Sequence, residues 1–316
     1  FLTLLLLLLA IPARGGSIPE WVYWNWGFDS TYTPEADIDA VAAWHMLKDP
    51  QPVKVAVVDT GIDLTHPDLK DHVDPQSLSF VGARGGSVND YNGHGSHVSG
   101  LVLGASGYNA SILSLKFYDD SNTPEQNAKN TVAAFEFAIS AGARIVNYSA
   151  GGGVADLREY KVLEKAELAG ILVVVPAGNS PVDIGHPKNH YYPASYRLPN
   201  MIVVAATNER SKLTESSGWG YGSVDVAAPG YAVVSTHPTH TYARMSGTSQ
   251  ATAYVSGLAA MLLAENPKLT AAELKAIIEG SVDVLPALKN KVKTEGRINS
   301  LKALMKSRSF FTRQKK

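Results

Sequence analysis

The sequence predicts a three-layer α/β/α domain on a mainly parallel central sheet, and two observations carry that prediction. Apolar runs rich in Val and Ile recur at 53–58, 112–117, 144–148, 171–175, 201–205 and 224–227, too apolar for a sheet with a wet face. Between them lie helical stretches at 95–103, 124–141, 156–169 and 250–265. Strand alternating with helix is the pattern of a parallel sheet covered on both sides. The composition agrees: 316 residues, 45% hydrophobic and 18% charged, suit a globular chain with a large core.

The first stretch, 1–16, is set apart. Leu4 through Leu9 are unbroken, and Pro12, Ala13, Arg14, Gly15 and Gly16 follow. An apolar run of roughly 11 residues is short of the roughly 20 a spanning helix needs, but fits the core of a secretory signal peptide. The missing Met and basic start point to a truncated leader. The expectation is a secreted protein, extracellular or periplasmic, with no stable membrane insertion once the leader is removed.

Residues 17–50 form an arm holding Trp21, Trp24 and Trp26 and a helical stretch at 35–47. So aromatic an arm is expected to pack across the surface of the following domain, because an exposed aromatic patch is unfavourable in a monomer. That domain runs over 51–305. The tail, 306–316, is basic, with Lys306, Arg308, Arg313, Lys315 and Lys316 around Phe310 and Phe311, and is expected to be disordered.

Charge and cysteine content narrow the function. A net charge of −1 gives no footprint for nucleic acid, and none is expected as a partner. The absence of cysteine removes disulfides, thiol catalysis and cysteine metal sites.

In parallel sheets the ligand crevice lies at the carboxyl ends of the strands, which selects Asp59, Ser149 and Asn179. Asp59 closes the run Val55, Ala56, Val57, Val58, and a carboxylate emerging from apolar surroundings needs a donor such as an imidazole N–H. Alone it reads equally as a turn or cap residue. His94 lies between Gly93 and Gly95, which leave the ring accessible and let a substrate come close; His97 is embedded among Val98, Leu101 and Val102. Two histidines three apart also suggest a metal pair, but no nearby cluster of Asp, Glu or Cys completes a ligand set, so no metal is assigned.

Ser249 falls in Met245-Ser-Gly-Thr-Ser-Gln-Ala-Thr, at or just inside the start of an apolar helix. There, unpaired N–H groups and the helix dipole favour developing negative charge, although a lone serine at that place is more often a cap. Asp59, His94 and Ser249 supply an orienter, a base and a nucleophile. Asn179, after the run 171–175, supplies an amide that donates to an oxyanion beside the Ser249 N–H.

Four motifs together resemble the subtilisin-like serine proteases. They are Asp59-Thr-Gly-Ile-Asp63 with His66-Pro-Asp-Leu69, Gly93-His-Gly-Ser-His-Val-Ser-Gly100, Ala177-Gly-Asn179, and Ser246-Gly-Thr-Ser-Gln-Ala-Thr252, in the family's order over about 53–265. The resemblance implies a subtilisin-like fold, a serine endopeptidase acting on polypeptides as a monomer, and no catalytic cofactor. It implies that Asp59 orients His94, His94 is base then acid, Ser249 attacks the peptide carbonyl and Asn179 holds the oxyanion. Ser149, Ala150 and Gly151 resemble the segment that pairs with substrate backbone and walls the specificity pocket, with Ala177 and Gly178 as another wall. These walls are small and uncharged, which suggests a large apolar side chain before the cleaved bond. A catalytically silent peptide-binding relative and an exopeptidase of the same fold are the alternatives; the complete set of four residues argues against the first.

Departures from the family are local. Ala253 stands where the family usually has proline, and Gln250 where it commonly has methionine; neither supplies a proton or charge. Between 16 and 52 the chain looks like an arm rather than a folded pro-domain. The short connection 104–111 does not indicate the family's calcium-binding loop, and the acidic pair Asp119 and Asp120 reads as solvated, so structural calcium is possible but not indicated.

Overall fold

The computed structural model describes residues 18–30, 35–82 and 86–314, with side chains described as far as Ser309. The expected leader, 1–16, lies outside the described residues, as do Lys315 and Lys316.

The arm leads into α1 (Ala40–Trp44), followed by β1 (Val53–Asp59), β2 (Leu78–Ser79), α2 (His94–Ala105) and β3 (Ala110–Lys116). Then come α3 (Pro124–Ser140), β4 (Ile145–Tyr148), α4 (Leu157–Leu168), β5 (Leu172–Pro176), β6 (Met201–Thr207) and β7 (Val226–Pro229). A hairpin of β8 (Val233–His237) and β9 (Thr241–Met245) precedes α5 (Thr248–Glu265), α6 (Ala271–Glu279), β10 (Asp283–Val284), β11 (Gly296–Arg297) and α7 (Ser300–Gln314). The main sheet has the order β10-β11-β7-β6-β5-β4-β1-β3-β2 and is parallel except between β10 and β11.

Two cores follow from the two-residue period of the strands. Val55 and Val57 of β1 face the same side as Leu172, Val174, Ile202 and Val204, and this side is covered by α2 and α5. Ala56 and Val58 face the other side with Val173, Val175 and Val203, covered by α3 and α4. The three-layer expectation is therefore met, and both faces are dry because both sets of residues are apolar. Sharp starts help fix the outer helices: Thr123 and Gln126 form a capping box on α3, and the Asp156 carboxylate caps α4.

Helix α5 is buried from Thr248 to Ala264, as a helix apolar on every face must be. Each fully buried Leu or Met side chain there stabilises the fold by about 1.5–3 kcal/mol. Its closest partner is α2, and the approach is set at Gly257, where a Cβ would stand 2.5 Å from both the Ala105 Cβ and the Val102 carbonyl oxygen. The helix carries Gln250 and Ala253 without interruption, both buried.

Three expectations change. The helix expected over 35–47 shortens to α1, because Asp39 takes a left-handed conformation (φ 53) immediately before it. The arm enters the core rather than lying across it: Trp21 and Phe28 are buried, and the buried Asn25 donates to the Val234 carbonyl at 2.6 Å and accepts from the Tyr254 hydroxyl at 2.6 Å. The tail expected to be disordered from 306 is helical through Gln314. Leu304 and Ser307 are buried, and the Arg308 guanidinium donates to the Glu265 carboxylate and the Met46 carbonyl.

Candidate active site

The carboxyl ends of β1, β4 and β5 meet the amino ends of α2 and α5, and four predicted residues lie there. Asp59 is the last residue of β1 and His94 the first of α2. The His94 Nδ1–H donates to Asp59 Oδ1 at 2.7 Å, and the same oxygen accepts the Thr60 N–H at 2.8 Å. This fixes the tautomer that leaves Nε2 as the acceptor.

Burial works against the charged imidazole of His94, but the Asp59 charge and hydrogen bond, with the Asp90 charge behind them, outweigh it and raise its pKa above the ordinary value. Asp90 was not singled out from the sequence. Its carboxylate is buried, accepts the Thr60 hydroxyl at 2.9 Å and the Gly93 and Ser96 N–H groups at 2.9 and 2.8 Å, and so holds the start of α2. A signal existed: an acidic residue in a polar run just before a helix is a capping pattern.

The glycines beside His94 serve the chain rather than a substrate. A Cβ on Gly95 would lie 2.2 Å from the Gly61 carbonyl oxygen, and one on Gly93 would lie 2.3 Å from Nε2 of His237. The expectation that both open space for substrate is therefore corrected: they admit the Asp59 turn and the hairpin.

His97 has the structural place expected for it. Its Nε2 donates to the Val233 and Ala243 carbonyls of the hairpin, and burial pushes its pKa down to about 3. His66 is also buried and donates to the Thr241 carbonyl at 3.1 Å, while Asp63 and Asp68 accept from Thr239 N–H and the Tyr242 hydroxyl. These motif residues latch the hairpin tip.

Ser249 is the second residue of α5 and is 8% exposed. Its hydroxyl donates to the Ser149 carbonyl at 3.2 Å rather than to His94. The Ser149 hydroxyl accepts from Asn147 Nδ2 at 2.9 Å, and Asn147 Oδ1 accepts from the Ser256 hydroxyl at 2.8 Å, a buried polar column joining β4 to α5 beneath the serine. Asp59, His94, Ser149 and Ala150 line one cavity of about 290 Å³, which links the two halves of the site. Apo geometry of this kind is compatible with a serine–histidine bond that tightens only with substrate bound.

Asn179 follows β5 beyond Ala177 and Gly178. Its Oδ1 accepts both the N–H and the hydroxyl of Thr248, at 2.9 and 3.0 Å. With the oxygen so engaged, the Nδ2 donor is the group left for a ligand beside the Ser249 N–H.

The two segments expected as walls, 149–151 and 177–178, both approach the ring of Tyr191. A Cβ on Gly151 would stand 2.7 Å from Cε1 and Cζ of Tyr191, and one on Gly178 would stand 3.1 Å from Cδ2 and Cγ of the same ring. Tyr191, which lies close to both segments, gave no sequence signal. A separate cavity of about 470 Å³ lies along Ala150, Gly151 and Gly152, with Glu159 in its lining.

Among the described residues, no group of three or more His, Asp or Glu is arranged to hold a metal ion, and no helix is long and apolar enough to cross a membrane.

Comparison with known proteins agrees with the geometry. The subtilase family model matches residues 51–301. The chain is 34% identical to subtilisin E of Bacillus subtilis (strain 168) over 241 residues, 74% of this chain and 61% of that protein. It is 34% identical to thermitase of Thermoactinomyces vulgaris over 290 residues, 86% of this chain and 95% of that one. It is also 32% identical to a thermophilic serine proteinase of Bacillus sp. (strain AK1) over 299 residues, 89% of this chain and 67% of that one. With a mainly parallel sheet between two helical layers and a family match over most of its length, the chain belongs to the subtilase family.

Proposed function

We propose that the chain is a serine endopeptidase that hydrolyses polypeptides through an acyl-enzyme on Ser249. The observation that carries this reading is the 2.7 Å Asp59–His94 bond, in a cavity it shares with Ser149, whose carbonyl accepts the Ser249 hydroxyl.

In the first half-reaction the Ser249 hydroxyl turns from the Ser149 carbonyl to His94 Nε2 and gives up its proton as Oγ bonds to the peptide carbonyl carbon. The carbonyl oxygen becomes an oxyanion that accepts hydrogen bonds from Asn179 Nδ2 and the Ser249 N–H. Asp59 stabilises the imidazolium and keeps it aligned without taking its proton. His94 then protonates the leaving amine as the C–N bond breaks. In the second half-reaction His94 draws a proton from water, the hydroxide adds to the ester carbon, and Oγ leaves with the proton His94 returns. No step calls on a metal or cofactor, and the enzyme acts as a monomer.

The apolar run at 4–9 supports export of the chain to the extracellular or periplasmic space.

Digestion of denatured casein, followed by sequencing of the new termini, tests the activity. Cuts at many internal positions, lost in Ser249→Ala, are expected. Release of only di- or tripeptides from one end would replace the endopeptidase reading with an exopeptidase one.

A further inference from the structure

The side chain preceding the scissile bond has one place to go. Its carbonyl carbon must meet Ser249 Oγ while its oxygen faces Asn179, so the side chain falls between the segment after β4, at 149–151, and the segment after β5, at 177–179. Both segments touch the serine or its helix: Ser149 through its carbonyl, Asn179 through Thr248. The Tyr191 ring stands between them, close against Gly151 and Gly178.

Tyr191 is anchored there. Its N–H donates to the Ser195 hydroxyl at 3.0 Å, and its carbonyl accepts the Ser195 N–H at 2.8 Å. The next residue, Tyr192, exchanges two backbone hydrogen bonds with Gly152, at 2.7 and 2.8 Å, tying the loop to the wall itself. The ring packs against the apolar core below the sheet. Burial, with the Glu159 carboxylate nearby, raises the phenol pKa, so the side chain stays neutral at physiological pH.

We propose that Tyr191 fills the specificity pocket from within and restricts cleavage to bonds that follow Gly, Ala or Ser. A small side chain needs little of the occupied volume, whereas Phe or Leu would have to expel a ring held at its backbone on both sides. The ring crowds both wall glycines, although each has a second reason to be glycine: a Cβ on Gly151 would also stand 2.4 Å from the Tyr192 carbonyl oxygen, and Gly178 takes a left-handed conformation (φ 89). This inference rests on Ser249 being the nucleophile.

The test compares peptide p-nitroanilides that differ only in Ala or Phe before the cleaved bond. The unaltered protein should favour Ala in kcat/KM by about 10- to 100-fold, a size typical of steric discrimination in an apolar pocket. Tyr191→Gly should reverse the preference, chiefly by raising kcat/KM for Phe, and Tyr191→Phe should keep it. Labelling by a fluorophosphonate is measured on every variant, so loss of the nucleophile reading registers separately as loss of labelling in the unaltered protein. Preference for Phe or Leu in the unaltered protein overturns the inference, and this needs no variant to fold. An unchanged ratio in labelled Tyr191→Gly overturns it as well.

Discussion

The two halves of the site use glycine in opposite ways. At His94, the missing side chain of Gly95 lets backbone meet backbone, the Gly61 carbonyl lying where a Cβ would be. At the slot, Gly178 faces a side chain, the Tyr191 ring, while Gly151 faces that ring and the Tyr192 carbonyl oxygen. A backbone contact between the end of a central strand and the start of a buried helix cannot relax without moving the catalytic pair. A ring contact can be removed by one substitution. The first half is therefore built for fixed chemistry, and the second for a specificity that single changes alter.

The largest expected effect falls on the fixed half. Asp59→Asn should lower kcat by about 10⁴-fold, as in a serine protease whose histidine loses its orienting carboxylate, while leaving substrate preference unchanged. Steady-state kinetics on the Ala and Phe peptides would check both; a preference that moved with Asp59 would mean the halves are not separable. Asn179→Ala should cost about 10² to 10³ in kcat, the range measured when a subtilisin loses its oxyanion-hole asparagine. Unchanged turnover would mean that another donor faces the oxyanion.

Smaller but diagnostic is Gly95→Ala. Forcing a Cβ against the Gly61 carbonyl should cost about 1–3 kcal/mol of stability, read from the urea unfolding midpoint. An unaltered midpoint would show that the contact gives way as the ring contact does.

The pH dependence tests the same half without substitution. His94 must be neutral to accept the serine proton, and its pKa is raised by Asp59 and Asp90 against the effect of burial. Activity should therefore be lost as pH falls through a value above the ordinary imidazole pKa, and full activity should need a pH above it. A profile flat from about pH 5 to 8 would argue against a histidine base.

The difference between the halves also decided what could be read in advance. Asp59 and Asn179 were legible because a polar residue after a run of Val and Ile marks a strand's carboxyl end, and Ser249 because its apolar helix is long. Tyr191 was not legible: it sits in a loop without a period and reaches the slot through the pairing of Tyr192 with Gly152, forty residues earlier in the chain (192 − 152). The hairpin of β8 and β9 escaped for a related reason. Its turn at Pro238-Thr-His240 lacks the Asn-Gly or Asp-Gly signal, and its purpose, latching His66 and covering His97, depends on contacts across more than 130 residues. The glycines beside His94 were visible, but only packing shows that Gly95 admits the protein's own backbone and Gly93 the His237 ring.

The most direct test of the account is intact-protein mass after exposure to a fluorophosphonate. A single adduct should form, map to Ser249, disappear in Ser249→Ala and form far more slowly in His94→Ala. An adduct of equal yield on Ser249→Ala would place the nucleophile elsewhere and contradict the account at its centre.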